Sequence, residues 1–303
     1  MEAQPQGIQH GEFTYEFAEK SNVIKKNSVH LWGFGFDGTA CFRKGTKAGP
    51  QALREISYGI EGYSPYQDLD LEDYSNIYDL GDFSLSYEKD VDADFLNATK
   101  NLQASIDQLD LKGEKQRFLL VGGEHSVSYG QIVSHLKQYP DMVLLHLDAH
   151  ADLRDGYEGH HYSHASIIKR SLDHFGPDHQ LIQYGIRSGT KEEYEWMKEN
   201  RSLATSRAEF LERVSSIEKS RPIYLTLDLD YFDPGIFPGT GTPEPGGEDF
   251  HSFISLVKIL KEKNFIGADA VELSPALDSS GNSSVFASKV VREILLLLAD
   301  GLK

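Results

Sequence analysis

Val143-Leu144-Leu145-His146-Leu147-Asp148-Ala149-His150-Ala151-Asp152 opens as a nearly unbroken apolar run and closes in Asp-Ala-His-Ala-Asp. A short run of large aliphatic residues reads as a strand buried on both faces, the kind found in parallel sheets. In an extended backbone alternate residues share a face, so Asp148, His150 and Asp152 start out pointing the same way. Three ionisable groups meeting at the end of an apolar strand are costly unless their charge is compensated. A bound cation supplies that compensation.

The same design recurs downstream. Ile223-Tyr224-Leu225-Thr226-Leu227-Asp228-Leu229-Asp230 places Asp228 and Asp230 at the end of another apolar strand. Upstream, Gly122-Gly123-Glu124-His125-Ser126 ends a third strand in glycines that permit a tight turn, with His125 placed to face the same cleft. Read alone, any of these residues could be a cap, a turn residue or a satisfied core histidine; the three segments together point to one metal centre. Four carboxylates and two imidazoles, with no thiolate, suit Mn(II) better than structural zinc, and four Asp charges balance two divalent ions. Bridging carboxylates would hold such a pair roughly 3.5 Å apart, where a shared water is acidified enough to act as a nucleophile at neutral pH.

Short apolar runs alternate with helical patterns from Val29 onward, the sign of parallel strands joined by crossover helices. The strand candidates are Val29 to Gly33, Ile77 to Leu80, Arg117 to Val121, Met142 to Leu147, Gln180 to Ile186, Pro222 to Leu227 and Phe265 to Glu272. Helices are expected at Pro50 to Ile56, Ala93 to Asp107, Ser128 to Lys137, Ser163 to Asp173, Lys191 to Asn200, Ala208 to Ile217, Phe250 to Lys261 and Val285 to Leu298. No repeat or Pro-rich linker divides them. The expectation is an α/β fold of three layers around a mostly parallel, doubly wound sheet, with ligands at the carboxyl ends of its strands. Residues 1–20 are polar and aperiodic, so they are expected to form an arm over the body or a neighbouring subunit, and residues 21–303 a single catalytic domain.

The 303 residues carry 30 Lys and Arg against 47 Asp and Glu, a net charge of −17 that disfavours nucleic acid and favours cationic solutes. No apolar run is long enough to span a bilayer, so no membrane partner is expected. Cys41 is the sole cysteine and no signal segment opens the chain, which points to a reducing cytoplasm.

Four motifs carry a resemblance. Gly-Gly-Glu-His-Ser at 122–126, Asp-Ala-His-Ala-Asp at 148–152, Asp-Leu-Asp-Tyr-Phe-Asp-Pro at 228–234 and Gly-Thr-Gly-Thr-Pro-Glu-Pro-Gly-Gly at 239–247 resemble the ureohydrolases, the arginases, agmatinases and related guanidino-hydrolases. The resemblance runs from about Val29 to the C-terminus. It implies an arginase-like α/β/α fold, two Mn(II) ions and a homo-oligomer, a trimer or hexamer. It implies that His125, Asp152 and the bridging Asp148 and Asp228 hold one ion, and that His150 and Asp230 complete the other. Many family members carry Asp where Glu124 stands; that residue precedes the ligand and is expected to support it from behind.

The resemblance also assigns roles. Asp152 would relay a proton to the departing amine, Glu272 in Val271-Glu272-Leu273-Ser274-Pro275 would pair with a substrate guanidinium, and His164 would carry protons to and from bulk water, a role suited to imidazole. Glu244, with Asp155 and Glu158, could attract a distal amine by charge. The loop Leu153 to Ser163 does not look like the arginase loop that holds an α-carboxylate, and with Thr-Pro-Glu-Pro-Gly it looks more like agmatinase, which converts agmatine to putrescine and urea. The rivals are an N1-aminopropylagmatine ureohydrolase, a guanidinobutyrase, for which Arg154 is the candidate tail-binding cation, and an arginase. More distant are a metal-dependent deacetylase, with a single zinc, and a homologue without turnover.

Overall fold

The computed structural model describes residues 3–86 and 90–303; Met1 and Glu2 of the expected arm lie outside the described residues. Its centre is a sheet in the order β1-β6-β3-β7-β11-β10-β8-β9, with β2 also on β6. The strands are β1 (Ile8–Gln9), β2 (Glu19–Lys20), β3 (Ser28–Phe34), β6 (Ile77–Phe83), β7 (Gln116–Gly122), β8 (Val143–Leu147), β9 (Gln180–Tyr184), β10 (Pro222–Asp228) and β11 (Asn264–Val271). Only β1 runs antiparallel to its neighbour. A two-residue hairpin, β4 (Tyr63–Ser64) and β5 (Leu69–Asp70), stands apart.

Strand alternation sorts the core into two layers. Val143, Leu145 and Leu147 of β8 and Ile223, Leu225 and Leu227 of β10 face one side, while Leu144 and Tyr224 face the other. The first side is covered by α1 (Gly49–Ser57), α6 (Arg207–Ser216), α7 (Phe250–Leu260) and α8 (Asn282–Asp300). The second is covered by α2 (Val91–Asp107), α3 (Tyr129–Gln138), α4 (Ile167–Leu172) and α5 (Lys191–Glu199). This is the three-layer arrangement that the alternating pattern predicts.

Three local outcomes differ from the sequence reading. The helix expected from Ser163 starts as a 3-10 turn, His164–Ser166, capped by the Ser163 hydroxyl, before α4 proper. Residues 8–9 and 19–20 join the sheet, and Tyr15 between them is buried, its backbone N–H donating to Asp79. The β4–β5 hairpin is held from below by Glu293 of α8, which accepts from Ser64 Oγ and Gln67 Nε2. Paired segments two residues long leave no periodic signature.

Gly123 shows why the first motif needs its glycine. A Cβ there would lie 1.9 Å from the Phe36 carbonyl oxygen, because the Phe34 and Phe36 carbonyls accept the Gly123 and Glu124 N–H groups and hold the two backbones together. The turn thereby joins residues 36–39 to His125.

Candidate metal centre

β7, β11, β10 and β8 are consecutive in the sheet, and their carboxyl ends deliver His125, then Glu272, then Asp228 and Asp230, then Asp148, His150 and Asp152. The convergence is not achieved by extended strands. β8 stops at Leu147, and Asp152 sits at φ 54°; Glu272, just beyond β11, sits at φ 67°. Both are left-handed positions unusual for a side-chain-bearing residue, and such strain collects at functional sites. Asp230 lies in a 3-10 turn, Leu229–Tyr231, its N–H donating to Asp228 Oδ1 at 2.8 Å. His125 opens another 3-10 turn, His125–Ser128. Apart from Asp228, the last residue of β10, turns and irregular backbone rather than strand alternation aim these groups.

Around His125 Nδ1 lie Asp148 Oδ2 at 3.0 Å, Asp152 Oδ2 at 3.1 Å and Asp228 Oδ2 at 3.5 Å. His150 Nδ1 lies 2.9 Å from Asp230 Oδ2 and 3.5 Å from Asp148 Oδ1. Asp148 therefore has one oxygen toward each imidazole. Apart from His150, these side chains are almost wholly buried.

The hydrogen-bond chain behind His125 fixes its tautomer. Thr226 Oγ1 lies 2.8 Å from His125 Nε2 and donates its own proton to Asp269 Oδ1 at 2.7 Å. A hydroxyl has one proton, so His125 Nε2 must be the donor and Nδ1 is bare. A bare nitrogen facing three carboxylate oxygens, all acceptors, is balanced by a cation at their focus, either a proton or a metal ion. Burial opposes charge on His125, but the hydrogen bonds to Asp148, Asp152 and Asp228 outweigh it and push its pKa well above the ordinary value. Burial and then the neighbouring Asp148 push Asp152 up to about 7. Burial, with Asp230 and Asp148 adding, pushes Asp228 well up. These are groups crowded beyond what the protein's own cations neutralise. The donor set thus fits divalent ions.

Sequence reasoning missed His146, whose Nε2 lies 2.8 Å from Asp148 Oδ2. It is within reach of the cluster formed by His125, Asp148 and Asp152, but it is a poor ligand. Gln183 Nε2 faces His146 Nδ1 at 3.1 Å and also donates to the Ala151 carbonyl, while Gln183 Oε1 accepts from Ser202. His146 therefore carries its proton on Nε2 and donates it to Asp148, orienting that carboxylate. Its alternation within an apolar strand was the available signal.

A cavity of about 190 Å³ opens above the cluster, with His125, His150, Asp152, Asp228, His164 and Glu272 in its wall. Glu272 Oε1 accepts the His125 backbone N–H at 2.9 Å; burial, then Glu124 and Asp230, push its pKa well up. His164 is held near pKa 4, first by burial and then by the charges of His150 and His125. Glu244 stands off the wall, its Oε1 3.9 Å from His150 Nε2. Asp155 is engaged by Arg170. Cys41, Arg154, Tyr157 and Glu193 complete the wall among others, and the motifs singled out none of them as a wall group except Arg154. Glu193 is concealed in sequence as a capping-box residue; its two oxygens accept from the Leu153 and Thr190 backbone N–H groups.

The model of the Arginase family matches residues 27–297. The chain belongs to the arginase family. An agmatinase of Bacillus subtilis (strain 168) is 40% identical over 272 residues, covering 88% of this chain and 90% of the relative. The N(1)-aminopropylagmatine ureohydrolase of Thermococcus kodakarensis is 33% identical, covering 87% and 86%. Among solved structures, the agmatine ureohydrolase of Thermoplasma volcanium superposes with a TM-score of 0.75 at 25% identity, covering 99% of this chain and 94% of that one. This arginase-family ureohydrolase shares the family's mixed α/β fold and carries buried His/Asp clusters where the family uses a binuclear metal. Among the described residues, no helix is long and apolar enough to cross a membrane.

Proposed function

We propose that this ureohydrolase is an agmatinase that holds two Mn(II) ions and cleaves agmatine to putrescine and urea. The observation that carries the reading is the convergence of His125, Asp148, His150, Asp152, Asp228 and Asp230 at one cavity, whose wall bears His125, His150, Asp152 and Asp228 together with Glu272. The agmatinase relative at 40% identity over 88% of the chain supports the substrate. His125, Asp152, Asp148 and Asp228 would hold one ion, and His150 and Asp230 complete the second with the shared Asp148 and Asp228. Bound there, the pair would supply an acidified water as the nucleophile.

The chain's own residues divide the rest of the chemistry. Glu272 pairs with the guanidinium and orients its carbon toward the acidic cluster; a carboxylate and a guanidinium match in shape as well as charge. Water adds to that carbon, the C–N bond to the butylamine portion breaks, and urea leaves with both remaining nitrogens. Asp152 accepts a proton from the attacking water and passes it to the departing amine. His164, in the cavity wall, carries protons onward to solvent, and Glu244 adds negative charge at the rim for the distal ammonium.

One feature favours a second reading. Arg154 lines the cavity with its guanidinium 4.7 Å from the Tyr157 ring centroid, a cation that suits a carboxylate tail such as that of 4-guanidinobutyrate. The test is urea release by Mn(II)-loaded protein from agmatine, N1-aminopropylagmatine, 4-guanidinobutyrate and arginine, compared as kcat/KM. Agmatine is expected to lead. A lead for guanidinobutyrate moves the assignment to the Arg154 reading, and urea from none of them overturns both.

A further inference from the structure

Thr39 lies in the loop after β3, far in sequence from every motif, and is nearly buried. Its hydroxyl meets three groups. It donates to Glu124 Oε1. The backbone N–H of His164 donates to it at 3.3 Å, and His164 Nδ1 lies 3.4 Å away. A hydroxyl offers one proton and two lone pairs. A backbone N–H can only donate, so it takes one lone pair.

Glu124 claims the proton. Its Oε2 accepts the Thr39 backbone N–H at 2.9 Å and its Oε1 lies 2.7 Å from Ser126 Oγ, so as a carboxylate, which has no proton of its own to give, this wholly buried group accepts from all of its neighbours. One lone pair of Thr39 Oγ1 is left for His164 Nδ1, which must then be a donor. The opposite ring nitrogen, Nε2, lies 3.4 Å from Cys41 Sγ, and His164 and Cys41 both line the cavity.

We propose that Thr39 is a positioning residue that locks His164 in the tautomer with its proton on Nδ1, leaving Nε2 bare on the cavity side as the site that takes up a proton. The role it serves rests on the proposed proton-carrying function of His164. Glu124 in turn sets the direction of the Thr39 hydroxyl. A one-proton hydroxyl set by a buried carboxylate is the same device that Asp269 and Thr226 apply to His125, used here on a second imidazole.

Neutron diffraction from the deuterium-exchanged, Mn(II)-loaded protein reads the protons directly. The expected map has a deuteron on His164 Nδ1, none on Nε2, and the Thr39 deuteron directed at Glu124. A deuteron on Nε2, or a Thr39 deuteron directed at His164, overturns the lock. Kinetics supply an independent arm. Thr39→Val is expected to lower kcat on agmatine by about 10–100-fold with KM within about threefold, part of what positioned proton transfer contributes, while Thr39→Ser stays within about threefold of the parent. Added to His164→Ala, Thr39→Val is expected to cost nothing further. A Thr39→Val loss that repeats in full in that background overturns the positioning role. Full activity in His164→Ala would instead remove the proton-carrying role, and the neutron map would still decide the tautomer.

Discussion

Two clusters of buried charge in this molecule look alike in sequence and differ in kind. Near one edge of the sheet, Asp79 in β6 receives Arg54 Nε at 2.7 Å, Arg54 Nη2 at 2.9 Å, and the backbone N–H groups of Tyr15 and Gly81 at 2.9 Å each. Four donors serve two oxygens and a guanidinium supplies the counter-charge, so the carboxylate is complete. Burial opposes its charge, but Arg54 and the N–H donors outweigh that and hold its pKa low. At the carboxyl ends of β8 and β10, Asp148, Asp152, Asp228 and Asp230 meet imidazoles and one another with no Arg or Lys in their ion pairs among the described residues. The first cluster is a structural tie for the N-terminal segment; the second has the composition of half a coordination sphere.

The comparison is sharpest if each cluster is broken. Asp148→Ala should lower urea release at least about 1000-fold, since an oriented divalent ion accounts for several kcal/mol of barrier lowering. Asp228→Asn, which removes a carboxylate crowded by Asp230 and Asp148 while keeping an acceptor for the Asp230 N–H, should leave the melting temperature of metal-stripped protein unchanged or higher. Asp79→Ala should do the reverse, lowering unfolding free energy by about 3 kcal/mol in urea denaturation, because buried Arg54 keeps only Asp82 as a counter-charge and the Tyr15 and Gly81 N–H groups lose their acceptor. If Asp228→Asn and Asp79→Ala lose stability alike, the distinction fails.

Buried histidines refine it. His30 and His135 are held down to about 3 and about 4, chiefly by burial, so the fold keeps them neutral. Below the ordinary pKa of 6.5 the unfolded chain binds protons that these groups refuse in the folded state. Their stabilisation is therefore full above pH 6.5 and is lost as pH falls toward 4 for His135 and toward 3 for His30. His135→Gln should flatten the acid limb of a stability–pH curve measured by denaturation, removing about 3 kcal/mol of its fall. An unchanged slope would mean that His135 is not held neutral. The mildest probe is Thr226→Val, which removes the acceptor for His125 Nε2–H and should weaken Mn(II) binding by about 10–100-fold in a competition titration with a chelating dye. Unchanged affinity would contradict the assigned tautomer.

Most of the frame could be read from the chain because burial on both faces writes itself as an apolar run: all seven strands expected from the pattern are present, and the eight helices differ mainly at their ends. The acidic strand ends were legible because carboxylates there have no cheap alternative explanation in combination. The geometry was not. Alternation along a strand predicted the shared direction of Asp148, His150 and Asp152, whereas β8 ends at Leu147 and Asp152 is itself left-handed. Thr39, Thr226, Asp269 and Gln183 escaped because single polar side chains at buried positions acquire meaning only through partners distant in sequence. The strands at residues 8–9 and 19–20 escaped because their order comes from β6, not from their own composition.

If divalent ions complete the acid–imidazole cluster, the cluster must bind them tightly. Equilibrium titration of chelator-stripped protein with Mn(II), followed by the paramagnetic resonance signal of the free ion, tests this most directly. Two ions are expected to bind per chain in the parent protein, with a loss of tight binding in Asp148→Ala, whose native carboxylate oxygens face both imidazoles. No tight binding in the parent, or two ions held equally well after Asp148→Ala, would contradict it.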